Sequence, residues 1–172
     1  MHVNVYNRQT GKLVAQQAVF GNLPHRGDTE NSLVAVNHSI LVENNYGNSS
    51  VASTLGARTT EPDIDRVDFD PTTGQSRVVW ENADIAVPSI VSQLSTSDGL
   101  EYTYAKDAKG WYWAALDFGT GNVVAKSYVP GSDILGGALA NNFYGGLTVG
   151  PDGSAYAGVF GGLVAWRPQD QP

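Results

Sequence analysis

Two short clusters in this chain combine a pair of asparagines with aromatic residues: Asn44-Asn45-Tyr46 and Asn141-Asn142-Phe143-Tyr144. A carboxamide both donates and accepts hydrogen bonds, and an aromatic ring stacks on a flat apolar surface. This combination suits a sugar or another polar ligand. Asparagine is also common where a strand leaves a sheet, because its side chain bonds to nearby backbone and tolerates left-handed conformations. We favour this structural interpretation, and the ligand-binding interpretation stays open beside it.

Further polar residues would share a surface with these clusters if the chain forms repeated four-stranded sheets. In such a fold the long loops lie on one face and the tight turns on the other, and function usually sits on the loop-bearing face. The predicted ligand-binding residues on that face are His25, Arg26, Asn44, Asn45, Tyr46, Glu61, Asp63, Asn141, Asn142 and Tyr144.

Recognisable catalytic and metal-binding patterns are absent from the sequence. No serine stands in a Gly-x-Ser-x-Gly elbow, and the three histidines are scattered singly. The aspartates between Asp63 and Asp70 offer oxygen ligands for calcium, but alternation along a strand would place them on two faces, and EF-hand spacing is absent. The chain has no cysteine, which excludes disulfides, thiolate metal sites and a cysteine nucleophile. We therefore predict no catalytic residue and no bound metal.

The stretch Gly110–Gly131 supplies the structural pattern that organises the chain. Trp111, Trp113 and Ala115 alternate with other apolar residues, so a strand here would be apolar on both faces and must be covered on both. Thr120-Gly121 then turns the chain into a second strand, because glycine supplies the positive φ of a hairpin turn. A sheet packed between two other sheets is the expected setting for this hairpin.

Weaker copies of the same hairpin recur along the chain. Thr-Gly turns occur at Thr10-Gly11, Thr73-Gly74 and Thr120-Gly121, separated by 63 and 47 residues, and the long loop after Asn44 accounts for the larger interval. A repeat of roughly 40–50 residues built from four strands is typical of a β-propeller blade. Helical patterns compete poorly, since Pro88 and Gly136-Gly137 interrupt the two best candidate segments.

The sequence therefore predicts an all-β partial or open β-propeller of roughly three four-stranded antiparallel blades, forming a single domain over residues 1–172. The outer strands of a first blade are assigned to residues 1–22, a second blade to 23–83, a third to 84–131, and the inner strands of a last blade to 132–172. About thirteen strands are too few for a closed ring of ordinary size. Another copy of the chain, or a missing half of the propeller, is therefore an expected partner.

Composition limits the other possible partners. The net charge of −7 disfavours nucleic acid and anionic membranes, which both favour a basic surface. The N-terminal segment has no signal-peptide pattern, and no run approaches the ~18 apolar residues of a membrane span. Twenty glycines and 16% charged residues fit short strands joined by many turns. We expect neither nucleic acid nor a membrane span, and the compartment stays open.

The central hairpin Ala115–Val129, ALDFGTGNVVAKSYV, and its echo Val67–Trp80, VDFDPTTGQSRVVW, resemble the repeats of quinoprotein-like, pyrroloquinoline-quinone-type propellers. Blades of that family typically end the third strand with Ala-x-Asp, turn at Thr-Gly and carry a tryptophan in the fourth strand. Asp70 and Asp117 fit the acidic position, and Trp80 fits the tryptophan. Ala125 stands where a second tryptophan is expected, and the first hairpin has Asn7 in place of the aspartate.

The closing segments Gly150–Tyr156 and Gly161–Trp166 look like the last blade of large bacterial propeller proteins of unassigned function. This resemblance implies that the chain is the C-terminal half of such a protein, with a secreted or periplasmic parent. Quinone-dependent alcohol dehydrogenases of the family commonly place a vicinal disulfide against the cofactor, and a chain without cysteine departs from them. We therefore predict no bound cofactor.

Fold alone does not determine function. The sequence favours a non-catalytic binding or scaffold module, with a polar small molecule or glycan as a possible ligand. The alternative is part of a propeller enzyme, a quinone-linked oxidoreductase or a hydrolase or lyase, whose site a missing N-terminal half would complete.

Overall fold

The computed structural model describes residues 1–21 and 25–167. Within these ranges the chain forms four antiparallel sheets, in which strands that are consecutive in sequence lie side by side. Sheet 1 contains β1 (His2–Tyr6) and β2 (Leu13–Ala18). Sheet 2 contains β3 (Val34–Val36), β4 (Ser39–Glu43), β5 (Ile64–Asp70) and β6 (Gln75–Asn82). Sheet 3 contains β7 (Gln93–Ser95), β8 (Leu100–Asp107), β9 (Gly110–Asp117) and β10 (Val123–Tyr128). Sheet 4 contains β11 (Leu147–Val149), β12 (Ala155–Val159) and β13 (Gly162–Trp166).

This arrangement confirms the predicted all-β, partial-propeller fold. Successive short antiparallel meanders pack face to face, which is how propeller blades bury their apolar surfaces. The helical content is limited to single 3-10 turns at Val51–Thr54 and Ile134–Gly137 in the described part of the chain. The blade boundaries assigned from the sequence stay predictions beside these observed strand ranges.

Strand β9 lies in the middle of the core, and both of its faces are covered. One face carries Trp111 and Trp113, and Trp113 stacks on Trp166 of sheet 4 with 6.4 Å between ring centroids. The other face carries Tyr112, Ala114 and Leu116, all buried. Sheet 3 is therefore packed between neighbouring sheets, as predicted from the apolar residues on both faces of β9.

The three Thr-Gly turns share one geometry. In each, the glycine has a positive φ, at +68° in Gly11, +69° in Gly74 and +74° in Gly121, and its N–H donates 2.8 Å to the carbonyl four residues earlier. That earlier residue is Asn7, Asp70 or Asp117, and its side-chain oxygen accepts hydrogen bonds from backbone N–H groups inside the turn. Asn7 therefore does the same structural work as the two aspartates, which explains the departure from the repeat pattern.

Strand β7 is shorter than the sequence pattern predicts, and it begins later in the chain. The pattern predicts a strand over Ser89–Leu94, whereas the ladder covers Gln93–Ser95. Ile90 is nevertheless fully buried, and its carbonyl accepts a hydrogen bond of 2.6 Å from the Asn31 side chain. In this segment a side-chain hydrogen bond to Ile90 and an isolated parallel bridge between Val91 and Gly146 stand in place of a continuous ladder.

The described residues contain neither a candidate membrane-spanning helix nor a candidate metal cluster. No helix in them is long and apolar enough to cross a membrane. Within residues 1–21 and 25–167, no group of three or more His, Cys, Asp or Glu side chains has an arrangement that could hold a metal ion.

Candidate functional site

The loop between β4 and β5 carries the first asparagine cluster into the protein interior. Asn44 is fully buried, and its Nδ2 donates to the Arg26 carbonyl at 3.1 Å. Its Oδ1 accepts from the backbone N–H groups of Asp28 and Tyr46, each at 3.1 Å. The side chain therefore fastens the segment before β3 to the loop after β4.

Asn45 has the same role one residue later. Its Nδ2 donates to the Val87 carbonyl at 2.8 Å, and its Oδ1 accepts from the Glu30 N–H at 3.0 Å and the Thr29 hydroxyl at 3.2 Å. These three partners belong to the segments that precede sheets 2 and 3. Asn45 thus holds two separate parts of the chain together in a buried position.

The second cluster is also bonded within the protein. Asn141 donates to the Thr54 hydroxyl at 2.8 Å, which links the segment before sheet 4 to the long loop of sheet 2. Asn142 accepts from the Ser89 hydroxyl at 2.9 Å and donates to the Gly145 carbonyl at 2.7 Å. Since the amides of all four asparagines have partners inside the protein, the structural interpretation of these residues accounts for their positions.

The tyrosines of the two clusters point outward. Tyr46 and Tyr144 are 38% and 46% exposed. The Tyr144 hydroxyl donates to the carboxylate of Glu30 and accepts a hydrogen bond of 3.1 Å from Asn48 Nδ2. Glu30 and Asn48 are not among the ligand-binding residues predicted from the sequence; Asn48 begins an Asn-x-Ser glycosylation sequon, and Glu30 belongs to no recognisable motif. The term tyrosine surface is used below for the three residues joined by these contacts, Glu30, Asn48 and Tyr144, together with the exposed Tyr46.

The remaining predicted residues occupy two different environments. His25 is exposed, with a positive φ of +69°. Arg26 forms a partly exposed ion pair with Glu61. Asp63 is fully buried, and its carboxyl oxygens have no hydrogen-bond partner among the described residues. The structure therefore brings Arg26 and Glu61 together and separates Asp63 from solvent.

A second candidate surface consists of the outer faces of the first and last sheets. On sheet 4, Val164 and Trp166 pack into the core, and Leu163, the residue before Val164, is 68% exposed on the opposite face. On sheet 1, Tyr6 and Leu13 are paired across the strands and are 57% and 51% exposed. Each terminal sheet therefore has one packed face and one face with large exposed apolar side chains.

Buried carboxyl groups form a third feature, which sequence reasoning missed. Glu43 at the end of β4 accepts hydrogen bonds from the hydroxyls of Ser92 and Thr103, the latter at 3.1 Å. Glu101 on β8 is fully buried, and its carboxyl oxygens lack a partner in the described part of the chain. Burial raises the pKa of Glu43 to about 7, and burial together with the neighbouring Glu43 raises the pKa of Glu101 to about 8. The available sequence signal was a single carboxylate in a strand whose other residues are uncharged, Leu100–Ala105.

Comparisons with known proteins identify the fold. No protein-family model matches this chain, and no curated protein does. Among solved structures, the crystal structure of BamB from Moraxella catarrhalis is similar, with a TM-score of 0.60 and 18% sequence identity over 96% of this chain and 43% of that chain. BamB is a β-propeller with pyrroloquinoline-quinone-like repeats, so the resemblance inferred from the repeat motifs is confirmed at the level of fold. The chain spans less than half the length of that protein.

Proposed function

We propose that this chain is a non-catalytic binding or scaffold module of the β-propeller type, and that it assembles with a second copy of itself. The observation that carries the proposal is the exposed apolar surface on the outer faces of sheets 1 and 4. Large apolar side chains that are exposed on a sheet face are often covered by a protein partner.

A second copy suits these faces because they continue an interface that already exists in the molecule. Sheets 3 and 4 pack face to face through Trp113 and Trp166. The outer face of sheet 4, with Leu163, is the same kind of surface one layer further on. In a two-fold ring, sheet 4 of each copy would pack on sheet 1 of the other, covering Leu163, Tyr6 and Leu13. The greater length of BamB leaves room in such a ring for a second segment of this size.

Analytical ultracentrifugation of the purified chain at micromolar concentration tests this assembly. We expect a folded species of twice the chain mass of 18.3 kDa. Leu163→Asp places a charge in the proposed interface and should give a monomer. Val124→Asp is the matched control, because Val124 is 54% exposed on β10 at the outer edge of sheet 3, and this variant should remain dimeric. A monomeric wild-type chain, or equal dimerisation of both variants, would refute self-assembly.

A second candidate function is recognition of a polar ligand such as a glycan at the tyrosine surface. The observation that favours it is the exposed ring of Tyr144, whose hydroxyl bonds to a carboxylate and to a side-chain amide, together with the exposed ring of Tyr46. Rings of this kind stack on sugars while polar neighbours bond to the hydroxyl groups. NMR titration with neutral oligosaccharides should shift signals of residues 44–48 and 141–145.

Paired variants make this experiment specific. Tyr144→Ala should abolish the shifts, whereas Tyr128→Ala should retain them, because Tyr128 is a similarly exposed ring on β10. Shifts that are absent from the wild-type chain, or that survive in Tyr144→Ala, would rule out this ligand site.

A further inference from the structure

Sheet 2 buries carboxyl groups on both of its faces. Strand β4 alternates so that Leu41 and Glu43 face sheet 3, while Val42 faces sheet 1 and packs with Val3. On the side of sheet 1, Asp65 Oδ2 accepts a hydrogen bond of 2.7 Å from the backbone N–H of Phe20. Both contacts of sheet 2 with its neighbours therefore contain a buried acid.

The acids between sheets 2 and 3 lie in neutral surroundings. Glu43 contacts the side chains of Ser92, Thr103 and Asn31, none of which carries a charge. The ionisable group that acts on Glu101 is Glu43 itself. Two like charges without a counter-ion inside a protein are strongly unfavourable, so the pair retains a proton when the sheets are packed.

We propose that the contact between sheets 2 and 3 is a proton-dependent lock, which is closed while at least one of the Glu43 and Glu101 carboxyl groups is protonated and loosens when both ionise. The lock lies outside the proposed self-assembly faces and outside the tyrosine surface. It would make the rigidity of the module depend on the pH of its surroundings.

The direction of the pH effect follows from proton linkage. Burial holds the pKa of Glu43 at about 7 and, with the added charge of Glu43, that of Glu101 at about 8. An unfolded chain releases these protons near pH 4.3, so the folded state binds more protons between about pH 4 and pH 8. Stability therefore falls as the pH rises through this window and becomes level above it.

The face of sheet 2 that packs on sheet 1 also has buried carboxyl groups with raised pKa values, those of Asp63 and Asp65. Burial raises the pKa of Asp63 to about 8, with further contributions from the charges of Asp65 and Glu81, and burial raises the pKa of Asp65 to about 6. Asp65 and Glu81 are direct partners across β5 and β6. Asp63 and Asp65 also contribute to the pH dependence of the stability of the chain. A test of the lock must therefore separate their contribution from that of Glu43 and Glu101.

The test compares urea unfolding of the wild-type chain and Glu101→Gln between pH 5.5 and pH 9. Glutamine has nearly the same shape and cannot ionise. Relative to the wild type, the variant should lose less stability across this range, with an unfolding equilibrium constant at least tenfold lower at pH 9 once the pH 5.5 values are normalised. Asp84→Asn is the control, because Asp84 is exposed and its substitution should leave the wild-type profile unchanged. Identical profiles for Glu101→Gln and the wild type would overturn the proposal.

A direct measurement on the wild-type chain keeps the proposal testable even if the variant does not fold. Carbon-13 NMR of the side-chain carboxyl groups should show Glu101 still protonated at pH 6.5. Hydrogen exchange should show that amides of β4 and β8 lose protection above pH 8, after correction for the intrinsic pH dependence of exchange. Ionisation of Glu101 near pH 4.3, as in a solvated glutamate, would overturn the lock.

Discussion

Replacing Gly121 by alanine tests how sheet 3 is fitted against sheet 2. Gly121 lies in the turn between β9 and β10, and an added Cβ would come within 2.6 Å of the Cδ2 and Cε3 atoms of Trp80. The indole is held in place, since its Nε1 donates to the Phe118 carbonyl at 2.9 Å. The Gly121 carbonyl in turn accepts a hydrogen bond of 2.7 Å from Asn82. Neither side of this contact is free to move away.

Two costs add at Gly121. A non-glycine residue in the left-handed region costs about 1–2 kcal/mol, and overpacking a filled site costs about 1–3 kcal/mol. We therefore expect Gly121→Ala to lower the free energy of unfolding by about 2–5 kcal/mol. Gly11→Ala is the matched control, because Gly11 has a φ of +68° in the equivalent turn and no atom lies within 4 Å of its added Cβ. That variant should lose only the backbone contribution of about 1–2 kcal/mol.

Equilibrium unfolding in urea, followed by far-ultraviolet circular dichroism, measures both losses. NMR of the indole N–H groups adds a local reading, because the Trp80 signal should shift in Gly121→Ala and stay in place in Gly11→Ala. Equal losses in the two variants, within about 0.5 kcal/mol, would show that Trp80 does not confine the turn and would refute the packing argument.

The other predictions concern polar groups. Asn45→Ala removes the amide that reaches the Val87 carbonyl, and chemical denaturation should show a loss of about 1–3 kcal/mol, since buried partners are left unpaired; an unchanged midpoint would contradict this. Lys106→Met removes an ammonium that donates to three backbone carbonyls, so amides of the loop at residues 55–58 should exchange at least tenfold faster than in the wild type, and unchanged exchange would argue against this anchoring role. Hydrogen bonds from the Thr72 N–H and the Thr73 hydroxyl hold the pKa of Asp70 below its usual range; Thr73→Ala should raise that pKa in a carbon-13 NMR titration, and an unmoved pKa would be inconsistent with the turn geometry.

The repeated hairpins were predictable because their determinants are local. An aspartate or asparagine, a threonine and a glycine within five residues are sufficient to form each Thr-Gly turn. The apolar alternation of Gly110–Asp117 likewise predicted a strand covered on both faces. The shortness of β7 was not predictable, since Ile90 is held by a bond from Asn31, which lies 59 residues earlier.

The candidate sites were predictable only in part. The sequence located the asparagine clusters, but it did not show the partners of their amides, because these lie far along the chain, as Val87 does at 42 residues from Asn45. The buried Glu101 was not identified, because a glutamate in a strand is usually exposed and its burial requires a second sheet to cover it.

The sequence by itself determined the all-β class, the turn positions and the repeat, because these follow from interactions between residues that are close along the chain. Tertiary structure alone decided which polar side chains face solvent. It turned Asn44 and Asn142 inward, left Tyr46 and Tyr144 exposed, and enclosed Glu101. The physical reason is that burial depends on the packing of one sheet against another, and that packing brings together residues from separate repeats.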